Sequence, residues 1–326
     1  MGGFMVKDLC FEIIEACPNE CKFCSSNSCI DKKRIIEFKD FKRVIDYFIS
    51  EGGIEELSLS GGEPFLHPNL AEIVKYIKKA GMEVNIYSSG ITEENDQVSS
   101  ISIDEMLELK KYGLTKIMFN VQSPRSEGYD EITGTHGRFS LVKSSIVNAV
   151  NAGIYTEIHF VPMKLNVQDI DSIINFAKEN QINKVSFLKL VPHGRAYANK
   201  ETIQLSSEET VKLRNKLNGI KSENIRIGIP LSLDFESDFC HAASSKLYIK
   251  FDGTVYGCEA FKYIQQYDES LKEIQPCNIY EMGLCNIYHN SEYIRATQKF
   301  IEKYSTVSSR CESCPVQKFL ESLEEF

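Results

Sequence analysis

The sequence predicts an α/β fold in which six strand–helix units make a curved, incomplete barrel, followed by a small hairpin-and-helix domain. Three observations carry that expectation. Across residues 38–192 an amphipathic helix, a glycine or small polar break and a short branched apolar run recur as one device. That pattern stops near Asp234. Two further apolar runs then flank Asp252-Gly253, as a hairpin requires.

The first strand is expected over residues 9–14. The segments EGGIEELSLSGGEP, KAGMEVNIYSSG, KYGLTKIMFNVQ, NAGIYTEIHFVP and ENQINKVSFLKL each join a helix end to a strand. Four of these five use Gly for the left-handed cap, and Asn183 is expected to serve in the fifth. Leu70, Ile73, Val74 and Ile77 recur at helical spacing, as Ile170, Ile173, Ile174 and Ala177 nearly do, so each helix has one apolar face. Helices alternating with strands imply parallel pairing, because parallel strands need crossover connections. In such sheets functional groups gather at the carboxyl ends of the strands. The hairpin is expected over residues 246–256, with Cys240 and Cys258 flanking it, and helices near 291–303 and 316–325. The expected domains are 1–235 and 236–326, with no low-complexity linker between them.

With 326 residues, 42% hydrophobic and 25% charged, the chain can bury a substantial core. No apolar run approaches the roughly 18 to 20 residues of a membrane span, and the first residues lack a secretion-signal layout. A cytoplasmic protein with no membrane partner is expected. A net charge of -9 argues against a nucleic-acid partner, since phosphate binding draws on clustered Lys and Arg. Substrates are therefore expected among small molecules or peptides. Eleven cysteines in a chain of this size point to metal ligation rather than a disulfide framework.

Just after the first strand, Cys17, Cys21 and Cys24 fall in one turn-forming loop. A cubane of four irons normally takes four thiolates. Three local ligands can therefore leave one iron open to bind and activate a ligand. A structural zinc site would need a fourth donor, which Cys29 or Cys10 would have to supply.

The Cys-x3-Cys-x2-Cys spacing, with Phe23 before the last cysteine, resembles the signature of the radical SAM superfamily. The resemblance implies a partial (β/α)6 TIM-like barrel and an open iron that chelates the amino and carboxylate groups of S-adenosyl-L-methionine (SAM). One electron from a donor such as flavodoxin or ferredoxin then cleaves SAM to methionine and a 5′-deoxyadenosyl radical, which abstracts a substrate hydrogen. It also implies that Phe23 lies at the cofactor and that Gly61, Gly62 and Glu63 meet the SAM amino group. Ser88 and Ser89, then Asn120 and Gln122, are expected at the ribose and carboxylate, although the family often has Ser and Asp at the latter two positions. Arg138 would pair with the SAM carboxylate in two-pronged fashion, and Val161 and Leu190 would pack around adenine. From residue type alone, the same groups could be turn residues, strand-end caps and ordinary core.

Cys240-x12-Gly253-x4-Cys258, followed by Cys311-x2-Cys314-Pro315, resembles the twitch domain, the shortened relative of the SPASM extension. It implies one auxiliary iron–sulfur cluster, of the 4Fe–4S type, held by Cys240, Cys258, Cys311 and Cys314. Four thiolates also suit zinc. Cys277 and Cys285 are open to three readings: buried hydrophobe, alternative ligand or catalytic thiol.

Taken together, these features predict an enzyme that modifies a peptide by crosslinking, epimerisation or oxidation. The alternatives are a dehydrogenase or isomerase of a sugar or nucleoside, and a metal-binding scaffold that has lost the chemistry. Cys17 lies so near the amino terminus that leader-peptide recognition is expected from a separate partner or from the acidic surface. Anaerobic reconstitution should yield about eight irons per chain, the content of two cubanes. About four irons with one zinc would leave the SAM chemistry and remove the auxiliary iron cluster.

Overall fold

Strands that alternate apolar and polar residues, joined by one-sided helices, can bury their apolar surface only as a layered parallel sheet. The computed structural model describes residues 6–51, 53–95, 97–191, 193–228, 231–233, 240–264, 268–305 and 314–324. Its first half runs β1 (Val6–Ile14), α1 (Phe38–Glu51), β2 (Ile54–Gly61), α2 (Leu70–Lys79) and β3 (Glu83–Ser88). A small hairpin, β4 (Ile91–Glu94) and β5 (Gln97–Ser100), precedes α3 (Ile103–Tyr112) and β6 (Lys116–Asn120). There follow α4 (Ser126–Thr133), α5 (Phe139–Asn151), β7 (Tyr155–Phe160), α6 (Ile170–Glu179) and β8 (Lys184–Phe187). The chain continues through α7 (Arg195–Ala198), α8 (Lys200–Ile203), α9 (Ser207–Gly219) and β9 (Ile225–Ile227). The remainder holds β10 (Lys246–Ile249), β11 (Thr254–Tyr256), α10 (Glu269–Lys272), β12 (Cys277–Asn278), α11 (Ile279–Asn290), α12 (Glu292–Tyr304) and α13 (Pro315–Glu324).

The six predicted strands, β1, β2, β3, β6, β7 and β8, pair in parallel in that order. Two additions were not foreseen. β9 extends one edge parallel to β8, and β10 extends the other parallel to β1, in register from Asp8 opposite Lys246 to Phe11 opposite Ile249. The C-terminal hairpin therefore continues the main sheet, which reads β12-β11-β10-β1-β2-β3-β6-β7-β8-β9. Its apolar residues join the same core as those of the barrel strands. The expected boundary at residue 235 lies outside the described residues.

The helix ends follow the predicted rule with one correction. Gly53, Gly81, Gly113 and Gly153 all take positive φ, between 71° and 104°. In the fifth unit Gln181, not Asn183, holds that conformation at φ 56°. Asn183 instead uses its side-chain oxygen to accept from the Thr156 amide at 2.8 Å, tying two strands together. The predicted face of α2 is the buried one: Leu70, Ile73, Val74 and Ile77.

Along every strand the two faces differ in chemistry. Leu9, Phe11, Ile13, Leu57, Leu59, Val84, Ile86, Ile117, Phe119, Ile158 and Phe160 lie in the hydrophobic core, and Phe11 meets Phe41 of α1 with ring centroids 5.3 Å apart. The alternate positions carry Glu12, Ser58, Asn85, Tyr87, Glu157, His159, Ser186 and Tyr248, mostly buried and bonded to one another. The second face is thus a largely polar, buried layer, interrupted by Cys10 and Met118.

A buried ion pair joins the C-terminal region to this face. Lys262 Nζ lies 2.5 Å from Glu12 Oε1, with side-chain exposures of 3% and 4%. It also donates to Ser26 Oγ at 2.6 Å and Tyr248 Oη at 3.0 Å. Removing one member of such a pair leaves a buried charge without compensation. Lys262→Met should therefore destabilise the chain by about 3–5 kcal/mol in urea titrations, and Glu12→Leu added to it should recover more than half. Unchanged stability in the single variant would contradict this account of how the halves are joined.

Candidate active site

The three-thiol loop begins where β1 ends and is closed at its base by its own return. Glu15 accepts a fork from Arg34, Nε to Oε2 at 2.6 Å and Nη2 to Oε1 at 2.8 Å, while Glu15 N donates to Arg34 O at 2.9 Å. Within the loop Cys17 N donates to Cys29 O at 3.3 Å and Cys24 N to Cys21 O at 3.1 Å, and further contacts come from outside. The turn after β2 donates Gly62 N to Ile14 O at 2.7 Å and Glu63 N to Ala16 O at 2.8 Å. This approach requires glycine, because a Cβ on Gly62 would sit 1.9 Å from Ala16 O. On the opposite side, Glu20 N and Lys22 N donate to Thr133 O and Ile132 O, at 3.0 and 2.9 Å, at the end of α4.

Cys17, Cys21 and Cys24 are free thiols, Cys17 buried and the others half-buried. Burial pushes the Cys17 thiol well up, and the neighbouring Cys21 adds to it. Burial likewise pushes Cys21 up to about 12, with Cys24 adding and Arg195 opposing. The three sulfurs therefore feel one another as charges, and a bound cationic group would displace their protons. Among the described residues no three Cys, His, Asp or Glu side chains are gathered tightly enough to hold a single metal ion. A cubane spreads its sulfur ligands over separate irons, so its ligands need not be gathered as tightly as those of a single ion.

Of the other predicted residues, Gly62, Glu63 and Arg138 reach this loop, and the rest make contacts among themselves or with strand ends. Glu63 is fully buried and accepts from Phe65 N, Ser88 Oγ, Ser89 N and Ser89 Oγ at 2.5–3.1 Å. Its carboxylate is thus spent on Ser88 and Ser89, while the Gly62 and Glu63 amides of the same turn are spent on Ile14 O and Ala16 O. Arg138 donates to Pro18 O and to Asn19 Oδ1, so its guanidinium grips the loop. Gln122 bridges two strand ends, donating to His159 O at 3.1 Å and accepting from Val161 N at 2.7 Å. Asn120 ends β6 half-buried, opposite His159. Phe23, Val161 and Leu190 come together in a small apolar cluster with Ile132, Met163, Ala196 and Ile203, separate from the main core.

At the second cysteine set, Ala243 N donates to Gly257 O at 3.1 Å, so the flanks of the hairpin meet as its turn at Gly253 demands. Burial pushes the Cys258 thiol well up, Glu259, Cys314 and Cys240 add to this, and Lys246 opposes it. Three of the four expected ligands are therefore neighbours, while Cys311 lies outside the described residues. Cys277 is buried in β12, and Cys285 is exposed on α11.

Several residues at this site carried no local signal: Gly194, Arg195 and Asn199 after β8, and Tyr129 on α4, whose hydroxyl meets Asn19 Nδ2 at 3.3 Å. Glu12 did carry one, as the lone ionisable residue in the apolar run LCFEII.

The profile described as the radical SAM superfamily matches residues 11–177, about half of the chain. The chain belongs to the radical SAM superfamily. It therefore binds SAM with a 4Fe–4S cluster, and residues 240–315 match the SPASM profile, an iron–sulfur cluster-binding domain. A PqqA peptide cyclase of Ruegeria pomeroyi is 24% identical over 317 residues, 92% of this chain and 80% of that protein. A probable GTP 3',8-cyclase of Sulfurisphaera tokodaii is 27% identical over 194 residues, and the match spans 59% of this chain and 58% of that relative. Among solved structures, Streptococcus suis SuiB bound to its precursor peptide SuiA has the same fold, with TM-score 0.71, 16% identity, and coverage of 97% of this chain and 71% of that one. As this radical SAM chain folds, no helix among the described residues is long and apolar enough to cross a membrane.

Burial pushes the Glu63 carboxyl up to about 7 from 4.5, against the pull of its four donors. The folded chain then holds this proton more tightly than the unfolded chain. Its stabilising contribution is complete below about pH 4.5 and is lost as pH rises through about 7. His67 and His159, lowered by burial, slope the other way as pH falls, so comparison with Glu63→Gln isolates the carboxyl. The stability advantage of the native chain over that variant should shrink from pH 4.5 to 7 in urea titrations. A difference independent of pH would contradict it.

Proposed function

We propose that this chain is a peptide-modifying radical SAM enzyme working in the cytoplasm. The observation that carries the reading is the extent of likeness. Similarity to PqqA peptide cyclases runs through both the barrel and the C-terminal cysteine region, whereas the GTP cyclase match spans 59% of the chain. SuiB, solved with a precursor peptide, shares the whole architecture.

When bound, SAM and its cluster supply a 5′-deoxyadenosyl radical able to take a hydrogen atom from an unactivated carbon. In this reading Cys17, Cys21 and Cys24 ligate that cluster. The backbone of Gly61, Gly62 and Glu63 binds the SAM amino group, with Glu63 fixing Ser88 and Ser89 beside it. Asn120 offers a side-chain amide at the β6 end, while Gln122 and Arg138 act by holding strand ends and loop. The apolar cluster of Phe23, Val161 and Leu190 excludes water and takes the adenine face. Cys240, Cys258, Cys311 and Cys314 hold the auxiliary cluster of the 236–326 domain, whose full ligation suits it to electron transfer rather than substrate anchoring. A flavodoxin or ferredoxin serves as donor, and a separate protein recognises the leader.

Incubating the reconstituted enzyme with SAM, reductant and a short peptide encoded beside it should change the peptide's mass in step with deoxyadenosine release. Turnover of a sugar or nucleoside, with the peptide unchanged, would favour the small-molecule reading instead. Within the peptide assay, Cys24→Ala should abolish deoxyadenosine formation, whereas Cys314→Ala should retain uncoupled SAM cleavage without product. Near-normal cleavage in both variants would contradict that division of labour.

A further inference from the structure

We propose that Arg195 is a positioning residue for the cluster at Cys17, Cys21 and Cys24, setting both the loop's shape and the charge balance at Cys21. This rests on the reading that those three cysteines ligate iron.

The segment after β8 abuts the second half of the thiol loop. Gly194 takes φ +57°, and a Cβ there would lie 2.8 Å from Ser25 O and Asn27 Oδ1 and 2.9 Å from Cys24 O. That contact puts Arg195 N on Cys24 O at 3.0 Å. The guanidinium then reaches along the loop, Nε to Cys21 O at 3.0 Å and Nη2 to Ser28 O at 2.7 Å. One residue thus holds the carbonyls of two of the three cysteines. Asn199, one turn on, holds the carbonyl between them, Lys22 O, at 3.2 Å. Arg138 grips only the first half, at Pro18 and Asn19.

Charge supplies the second argument. Arg195 donates to the backbone carbonyls of Cys24, Cys21 and Ser28, and among the described residues no carboxylate pairs with it. A guanidinium held only by carbonyls keeps its full positive charge beside the loop. Its Nε, 3.0 Å from the Cys21 carbonyl, sets that charge beside a residue whose sulfur becomes an anion on ligating metal. A fixed cation beside a cluster stabilises the state carrying the extra electron and so raises its reduction potential. The two roles can be separated, because lysine keeps the charge and loses the fork.

The test uses the reconstituted full chain and reads the reduced-cluster EPR signal that changes on adding SAM. Arg195→Gln should shift the midpoint potential of that signal to more negative values, beyond replicate scatter, at unchanged iron content. Arg195→Lys should leave the potential near native while speeding iron loss to a chelator several-fold. If Arg195→Gln fails to retain iron, the Lys variant decides alone: native-like potential with faster iron loss supports the proposal, and native-like behaviour in both measures overturns it. An iron-replete Gln variant with native potential also overturns it. A native chain without any SAM-responsive signal would instead sink the underlying assignment of the three cysteines.

Discussion

Three thiols, Cys17 buried and Cys21 and Cys24 half-buried, sit on one loop whose backbone is tied down at many points. The loop makes few hydrogen bonds within itself, and those it makes lie mainly at its base, where Arg34 forks onto Glu15. Its upper part is shaped by the β2 turn, the end of α4, Arg138 before α5 and the return from β8. These segments belong to the connections that follow β2, β6 and β8, which is why an open α/β sheet can gather them around one point. The fold serves the loop by bringing sequence-distant donors to its carbonyls.

The same sheet explains how the auxiliary region is tied to this centre. β10 pairs with β1, the strand that leads into the thiol loop, so the two cysteine sets hang from neighbouring strands. Lys262, four residues beyond Cys258, closes on Glu12 and on Ser26, two residues beyond Cys24. A movement of either loop is thereby resisted through a short, buried ionic contact, and the polar face between them stays in one geometry. Such pairing adds little net stability compared with a hydrophobic substitute, but it is exacting about position.

Much of this was legible in the residues because it is written locally. The repeat of helix, break and strand, the buried face of α2, the turn at Gly253 and the two cysteine sets all depend on spacing within a few residues. What escaped depends on contacts between distant segments. Nothing in residues 246–249 announces a parallel partner in β1, because hairpin strands look the same whichever neighbour their outer edge finds. Ser88, Ser89 and Glu63 were expected to face a ligand, yet polar groups buried together satisfy one another first. Arg138 is engaged by Pro18 O and Asn19 Oδ1 of the loop. Arg195 follows the last barrel strand in an unremarked Pro-His-Gly-Arg stretch, and only the approach of Gly194 to Cys24 gives it meaning.

The central claim is that the loop of Cys17, Cys21 and Cys24 leaves one iron free to chelate SAM through its amino and carboxylate groups. Pulsed electron–nuclear double resonance on the reduced protein, with SAM labelled with nitrogen-15 at its amino group, addresses that contact itself. The account predicts a nitrogen coupling to the cluster that vanishes in Cys21→Ala. A reduced cluster that binds the labelled cofactor without any such coupling would contradict it.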